Sequence, residues 1–141
     1  MNGTDEDLRE KYLYAVAETE NTRKRLERRL DDASRAMKKR LLVKFLPVLD
    51  NLERALAHPD SDELRAGLEA TLRAFEAALQ SEGVTPIATT GQPFDASIAE
   101  AVGTQPADGV DDETVVAETE RGYRVDGDLL RPARVVVAKH A

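Results

Sequence analysis

The sequence contains no cysteine and no tryptophan, and only three phenylalanines and three tyrosines among 141 residues. Without cysteine there is no disulfide framework, no thiolate metal site and no cysteine nucleophile, which fits a reducing compartment. With so few aromatics, apolar burial must rest on Leu, Val and Ala, a supply that suits helices better than a compact sandwich. Nowhere do 18 apolar residues run together, and the first seven residues are polar and acidic with no apolar h-region. The chain is therefore expected to be cytoplasmic, neither secreted nor membrane-spanning.

Catalytic and nucleotide-binding patterns are missing too. His58 precedes a turn proline and His140 is penultimate, and neither has a carboxylate and a hydroxyl nearby in a triad-like arrangement. The glycines are isolated, with no GxxxxGK or GxGxxG spacing to cradle a phosphate. Asp111-Asp112-Glu113 lacks EF-hand spacing and reads as a solvated loop. These absences predict a protein that is not an enzyme and that takes no cofactor or metal.

Charge is unevenly spread. Residues 1–57 carry 13 Lys/Arg against 11 Asp/Glu, whereas residues 58–141 carry 7 against 16. No basic residue occurs between Arg73 and Arg121, which argues against that stretch gripping nucleic acid or an anionic membrane. The counter-signal is the stretch 23–40, with nine bases against three acids. It makes nucleic-acid binding the main rival function. Bases on every helix face, without interleaved aromatics, fit a solvated shaft or an acidic protein partner better.

What is present begins with an uninterrupted helical pattern. Thr4 can cap a helix, and after it no Gly or Pro occurs before Pro47. Leu8, Tyr12, Ala15, Thr19, Thr22, Leu26, Leu30, Ala33, Met37 and Leu41 recur at about 3.7 residues per step, one stripe along a helix. The period predicts a nearly straight or weakly right-handed pairing rather than a heptad supercoil. A helix from about residue 5 to 41 is roughly 55 Å long, longer than a small domain is wide, and a stripe this thin in Leu is marginal without a partner. A second copy of the chain is the simplest support.

From Leu41 the sequence turns apolar. Leu42, Phe45, Leu49, Leu52 and Leu56 make one wide face, with a kink or restart expected at 43–47 because Pro47 is costly inside a helix and cheap in a first turn. After a turn at 59–62, capped by Asp60 or Ser61, a second helix carries Leu64, Leu68, Leu72, Phe75 and Leu79 and stops at Gly83. Gly67 inside it calls for close helix packing or a partner contact. Two such helices, doubled by dimerisation, close a four-helix bundle. The surface expected to meet a second copy is Leu8, Leu26 and Leu30 on the long helix, and Leu42, Phe45, Leu49, Leu52, Leu56, Leu68 and Leu72 on the shorter ones.

Beyond Gly83 the period shortens. Strands are expected at 84–87, 114–118, 123–125 and 134–138, with turns at 91–93, 108–109 and 126–127. Asp126-Gly127, between Tyr123-Arg124-Val125 and Leu129-Leu130, is a hairpin signal because a type I′ turn needs positive φ twice. The fold class is α+β, in three parts: a dimerising coiled-coil helix (1–41), a bundle segment (42–83) and a small C-terminal β-domain (84–141).

Phe45-Leu46-Pro47-Val48-Leu49-Asp50-Asn51-Leu52-Glu53-Arg54-Ala55-Leu56, and Gly122-Tyr123 with Leu130-Arg131-Pro132-Ala133-Arg134-Val135-Val136-Val137-Ala138-Lys139, are two stretches that resemble the GrpE family of nucleotide exchange factors. Glu18-Thr19-Glu20-Asn21-Thr22-Arg23-Lys24-Arg25, Gly67-Leu68-Glu69-Ala70-Thr71-Leu72, and Phe94-Asp95 with Glu100-Ala101-Val102 are similar to further family motifs in the same order. The resemblance runs from about residue 8 to 139. It implies a homodimeric cochaperone in protein folding and the heat-stress response, whose β-domain opens the nucleotide cleft of a DnaK-type chaperone and releases ADP. It also implies chaperone contacts at Arg23, Arg54, the vicinity of Gly67, and Val137. Asp32 and Ala36 depart from a basic and an aromatic residue of some relatives, Asp128 from a basic hairpin residue, and Ala96 and Ala99 from a common proline and histidine.

Overall fold

The structure, a computed structural model, describes residues 3–140. It is an α+β fold that divides into two units between Arg40 and Leu41. The first unit is almost entirely one helix. α1 (Gly3–Leu42) runs for 40 residues, about 60 Å at 1.5 Å per residue, with Asp5 and Glu6 in its first turn and Lys39 and Arg40 in its last, charges that suit the helix dipole at each end.

The expected restart is a single 3₁₀ turn, Val43–Phe45, in which the Leu46 N–H reaches the Val43 carbonyl. α2 (Leu46–Ala57) follows with Pro47 in its first turn, where the missing N–H leaves no bond unmade. α3 (Asp62–Ser81) is capped by Ser61, whose Oγ accepts from the Leu64 N–H at 3.0 Å. It ends at Gly83, whose φ of 85° is a left-handed conformation that a side chain resists. A Cβ there would also strike the Asp126 carboxylate, so the glycine serves both the helix stop and the hairpin packed against it.

Among the described residues six strands form two three-stranded sheets. In the first, β4 (Tyr123–Val125) lies between β1 (Val84–Pro86) and β5 (Asp128–Arg131), all antiparallel. The β4–β5 turn carries Asp126 at φ 50° and Gly127 at φ 85°, the two positive values the hairpin signal required. In the second, β6 (Ala133–Ala138) is central, parallel to β2 (Ala99–Gln105) and antiparallel to β3 (Val115–Glu120). Only Pro132 separates β5 from β6, so the sheets join there. At this junction a Cβ on Gly122 would sit 2.6 Å from the Ala133 N, too close for any side chain.

β2 is absent from the expectations above. Its sequence, Ala-Glu-Ala-Val-Gly-Thr-Gln, has little β-propensity and no clean alternation, and its register slips between Ala101 and Gly103. Pairing with β6 makes it a strand. Ala99, at its start, is buried in the second sheet's core. The turn before it is held by Asp95, whose Oδ1 accepts from both the N–H and the hydroxyl of Ser97.

Two cores hold the second unit. Leu42, Leu46, Leu49 and Leu79 pack with Val84, Tyr123 and Val125, so α2, α3 and the first sheet share one interior. Ala99, Val115, Ala133, Val135 and Val137 form the other, with Phe94 and Ile98 against it. The step at Gly83 is thus a change of secondary structure inside one unit.

Candidate partner-binding surfaces

Exposed apolar side chains mark the first surface. On α1, Leu8, Tyr12, Leu26, Leu30 and Met37 are all exposed, Leu26 at 54% and Leu30 at 71%. Thr19, Thr22, Leu26 and Leu30 line a shallow, mainly apolar groove, bordered by Glu18, Arg23 and Glu27. Arg23 is tethered at this border, with Nη2 2.8 Å from Glu20 and Nη1 2.9 Å from Glu27. The hydrogen bond from Arg23 lowers the Glu20 carboxyl below its usual value, and Glu20 in turn raises the Arg23 guanidinium.

The second surface belongs to α2 and α3. Phe45, Val48 and Leu64 are exposed, and Leu52, Leu56, Leu68 and Leu72 are half-buried. The Phe45 and Phe75 rings lie 6.3 Å apart. Leu42 and Leu49 differ from the expectation for this face: the packing of α2 and α3 on the first sheet buries both inside the chain's own core, leaving them almost no surface for a second copy. Gly67 has no tight packing within the chain, since a Cβ there would meet nothing within 4 Å. Arg54 is exposed and donates to the Asn51 side-chain oxygen at 2.9 Å.

Charged residues gather where α2 meets the strands. The Arg131 guanidinium holds both oxygens of Asp50, at 2.7 and 2.8 Å, while its Nε donates to the Arg121 carbonyl at 2.8 Å. Arg131 also lies 3.3 Å from Glu120 and stands over the Tyr123 ring, 5.5 Å from its centre. Beside it Arg121 pairs with Glu53 at 3.4 Å. Burial raises the Glu53 carboxyl above the ordinary carboxylate value, an effect the Arg121 charge offsets only in part, and burial likewise raises the Tyr123 hydroxyl. Burial, the largest single influence, would lower Arg131, but the hydrogen bond to Asp50 and the charges of Asp50 and Glu120 together outweigh it and the group is raised. Outside these pairs opens a polar cleft of about 510 Å³ between α2 and β3, with Arg54 and Arg134 on its walls.

Val137 is 6% exposed and belongs to the second sheet's core. Its small accessible edge faces a groove shared with Phe94, Thr104 and Lys139. In the 111–113 stretch, Asp112 accepts from the His140 N–H at 2.8 Å, and the His140 ring lies 2.7 Å from the Val110 carbonyl oxygen. Sequence reasoning missed the Asp50–Arg131 pair. The available signal was a charge of each sign embedded in an apolar run, Asp50 after Leu49 and Arg131 after Leu130, because buried charges are held in opposite pairs.

No helix among the described residues is long and apolar enough to cross a membrane. The GrpE family model matches residues 2–139. Among relatives, a protein named Protein GrpE from Syntrophobacter fumaroxidans is 39% identical over 97% of this chain and 76% of its own length. Its namesake from Gloeobacter violaceus is 39% identical over 94% and 70%, and one from Legionella pneumophila 39% identical over 92% and 66%. With a long helix, a helical hairpin and two small sheets all inside the matched residues, this chain belongs to the GrpE family.

Proposed function

We propose that this chain is a cochaperone that accelerates ADP release from the ATPase domain of a DnaK-type chaperone, and that it acts as a homodimer. The observation carrying the reading is the family match over residues 2–139, which takes in helices and strands together. The mechanism needs no reacting group. A protein that binds the open form of a nucleotide cleft better than the closed form shifts the population towards open, and by linkage it weakens nucleotide binding by the same factor. A tenfold preference corresponds to about 1.4 kcal/mol.

The β-region is the part assigned to the chaperone. Its core shared with α2 and α3 and its ion pairs with α2 support this, because a wedge must transmit force rather than yield. Arg23, Arg54 and the open surface at Gly67 are the proposed contacts on the helices, and Val137 contributes through the groove beside Phe94. The homodimer reading rests on apolar side chains left exposed, Leu8, Leu26 and Leu30 on α1 and Phe45 before α2, and on the half-buried Leu52, Leu56, Leu68 and Leu72 of the hairpin. An isolated helix with this composition is marginal in water.

Stopped-flow release of a fluorescent ADP from the cognate chaperone tests the reading. Acceleration that saturates with this protein is expected; binding without faster release would leave a coiled-coil scaffold instead. Salt-dependent affinity for DNA or RNA, lost on neutralising the bases at 23–40, would favour the nucleic-acid alternative. Sedimentation is expected to give a particle of twice 15.5 kDa.

A further inference from the structure

Arg131 has no part in the contacts assigned above, yet its side chain is heavily committed. It ends β5, and the next residue but one begins β6, so it stands where the two sheets join. At 12% exposure its guanidinium ties β5 to two other segments: α2, where it holds Asp50 by a two-pronged pair at 2.7 and 2.8 Å, and the end of β3, where Nε donates to the Arg121 carbonyl at 2.8 Å and Glu120 lies at 3.3 Å. The Tyr123 ring lies beneath it, 5.5 Å away.

Such a fork is directional in a way the neighbouring core is not. Leu46, Leu49, Val84 and Val125 attract one another without a preferred angle, and the strands bearing the last two are only three residues long. A planar group with donors spent in three directions admits one orientation of its partners. The nearby Glu53–Arg121 pair is a single contact at 3.4 Å and more exposed, so it carries less directional information.

We propose that Arg131 is a positioning residue: it fixes the angle of the two sheets on α2 and α3, and so keeps the β-region stiff enough to open a partner's cleft. The proposal rests on the exchange reading above. Were the pair only a stabilising contact, an apolar pair of similar size would replace it without loss, since such replacements are often neutral or stabilising.

Two variants separate the roles. R131K keeps the charge and the apolar stem but loses the fork, and D50L/R131M exchanges the pair for apolar contact. Because the chain has no cysteine, A57C/T104C gives a clean pair of spin-label sites, one ending α2 and one on β2, read by pulsed electron resonance with labelled chains diluted in unlabelled protein. Both variants, folded by circular dichroism, are expected to broaden a narrow distance distribution. Their maximal ADP-release rate is expected to fall at least about fivefold while the half-saturating concentration stays within about twofold, the signature of lost function after binding. Unchanged distributions and rates in folded variants overturn the proposal. A lower rate with an unchanged distribution also overturns it, because Arg131 would then act by touching the chaperone. Should the unmodified protein fail to accelerate release, the exchange reading falls, while the distance distributions still decide whether Arg131 sets the angle.

Discussion

Leu26 and Leu46 sit in helices of the same chain, yet one is 54% exposed and the other wholly buried. The contrast holds along both units. α1 has a full complement of backbone hydrogen bonds and well-placed terminal charges, but buries almost nothing of its own before Leu42. The residues after Arg40 close two apolar cores and a half-buried ion pair with their own side chains. Burial of a Leu contributes roughly 1.5–3 kcal/mol, whereas helix propensity contributes tenths per residue, so the second unit has a source of stability in its own side chains that α1 lacks before Leu42.

Substitutions can break that contrast. The largest effect is expected from L49A, which opens a cavity beneath both α2 and the first sheet and should cost about 2–5 kcal/mol in urea unfolding of the second unit. G122A comes next, at about 1–3 kcal/mol, because its Cβ displaces Ala133 at the sheet junction. S61A removes the cap of α3 and is expected to cost about 1 kcal/mol. The L26A/L30A pair is expected to leave the second unit's unfolding within about 0.5 kcal/mol of the parent while weakening self-association. An equal loss from L49A and L26A/L30A would abolish the distinction.

A pH series sharpens it further. Burial raises Glu53 from its model-peptide value of 4.5, so the folded chain keeps a proton there that the unfolded chain has released. Relative to E53Q, the parent should therefore lose stability as pH rises from 4.5 through the raised value, and level off above it. A gain over that window would mean that the Arg121 charge outweighs burial.

The sequence made the helical half legible because its signals are local. The stripe from Leu8, the proline restart, the Ser61 cap and the Gly83 stop depend on residues within a few positions of one another. The hairpin at Asp126-Gly127 is local in the same way. β2 was not legible, because Ala99–Gln105 is a strand only by virtue of β6, far along the chain. For the same reason the shared core hid the fate of Leu42 and Leu49: periodicity identifies an apolar face, but not whether a second chain or a distant strand covers it. The Asp50–Arg131 pair spans 81 positions, beyond any spacing rule. Family motifs pointed to Arg23, Arg54 and Gly67, and the structure adds that Gly67 opens on free space.

Calorimetry of the full chain, with helix content followed in parallel, tests most directly whether the two units draw on different sources of stability. Two transitions are predicted, the earlier one removing the helicity of α1 and the later one the two cores, with L49A lowering only the later. A single transition in which α1 and the cores are lost together would contradict the account.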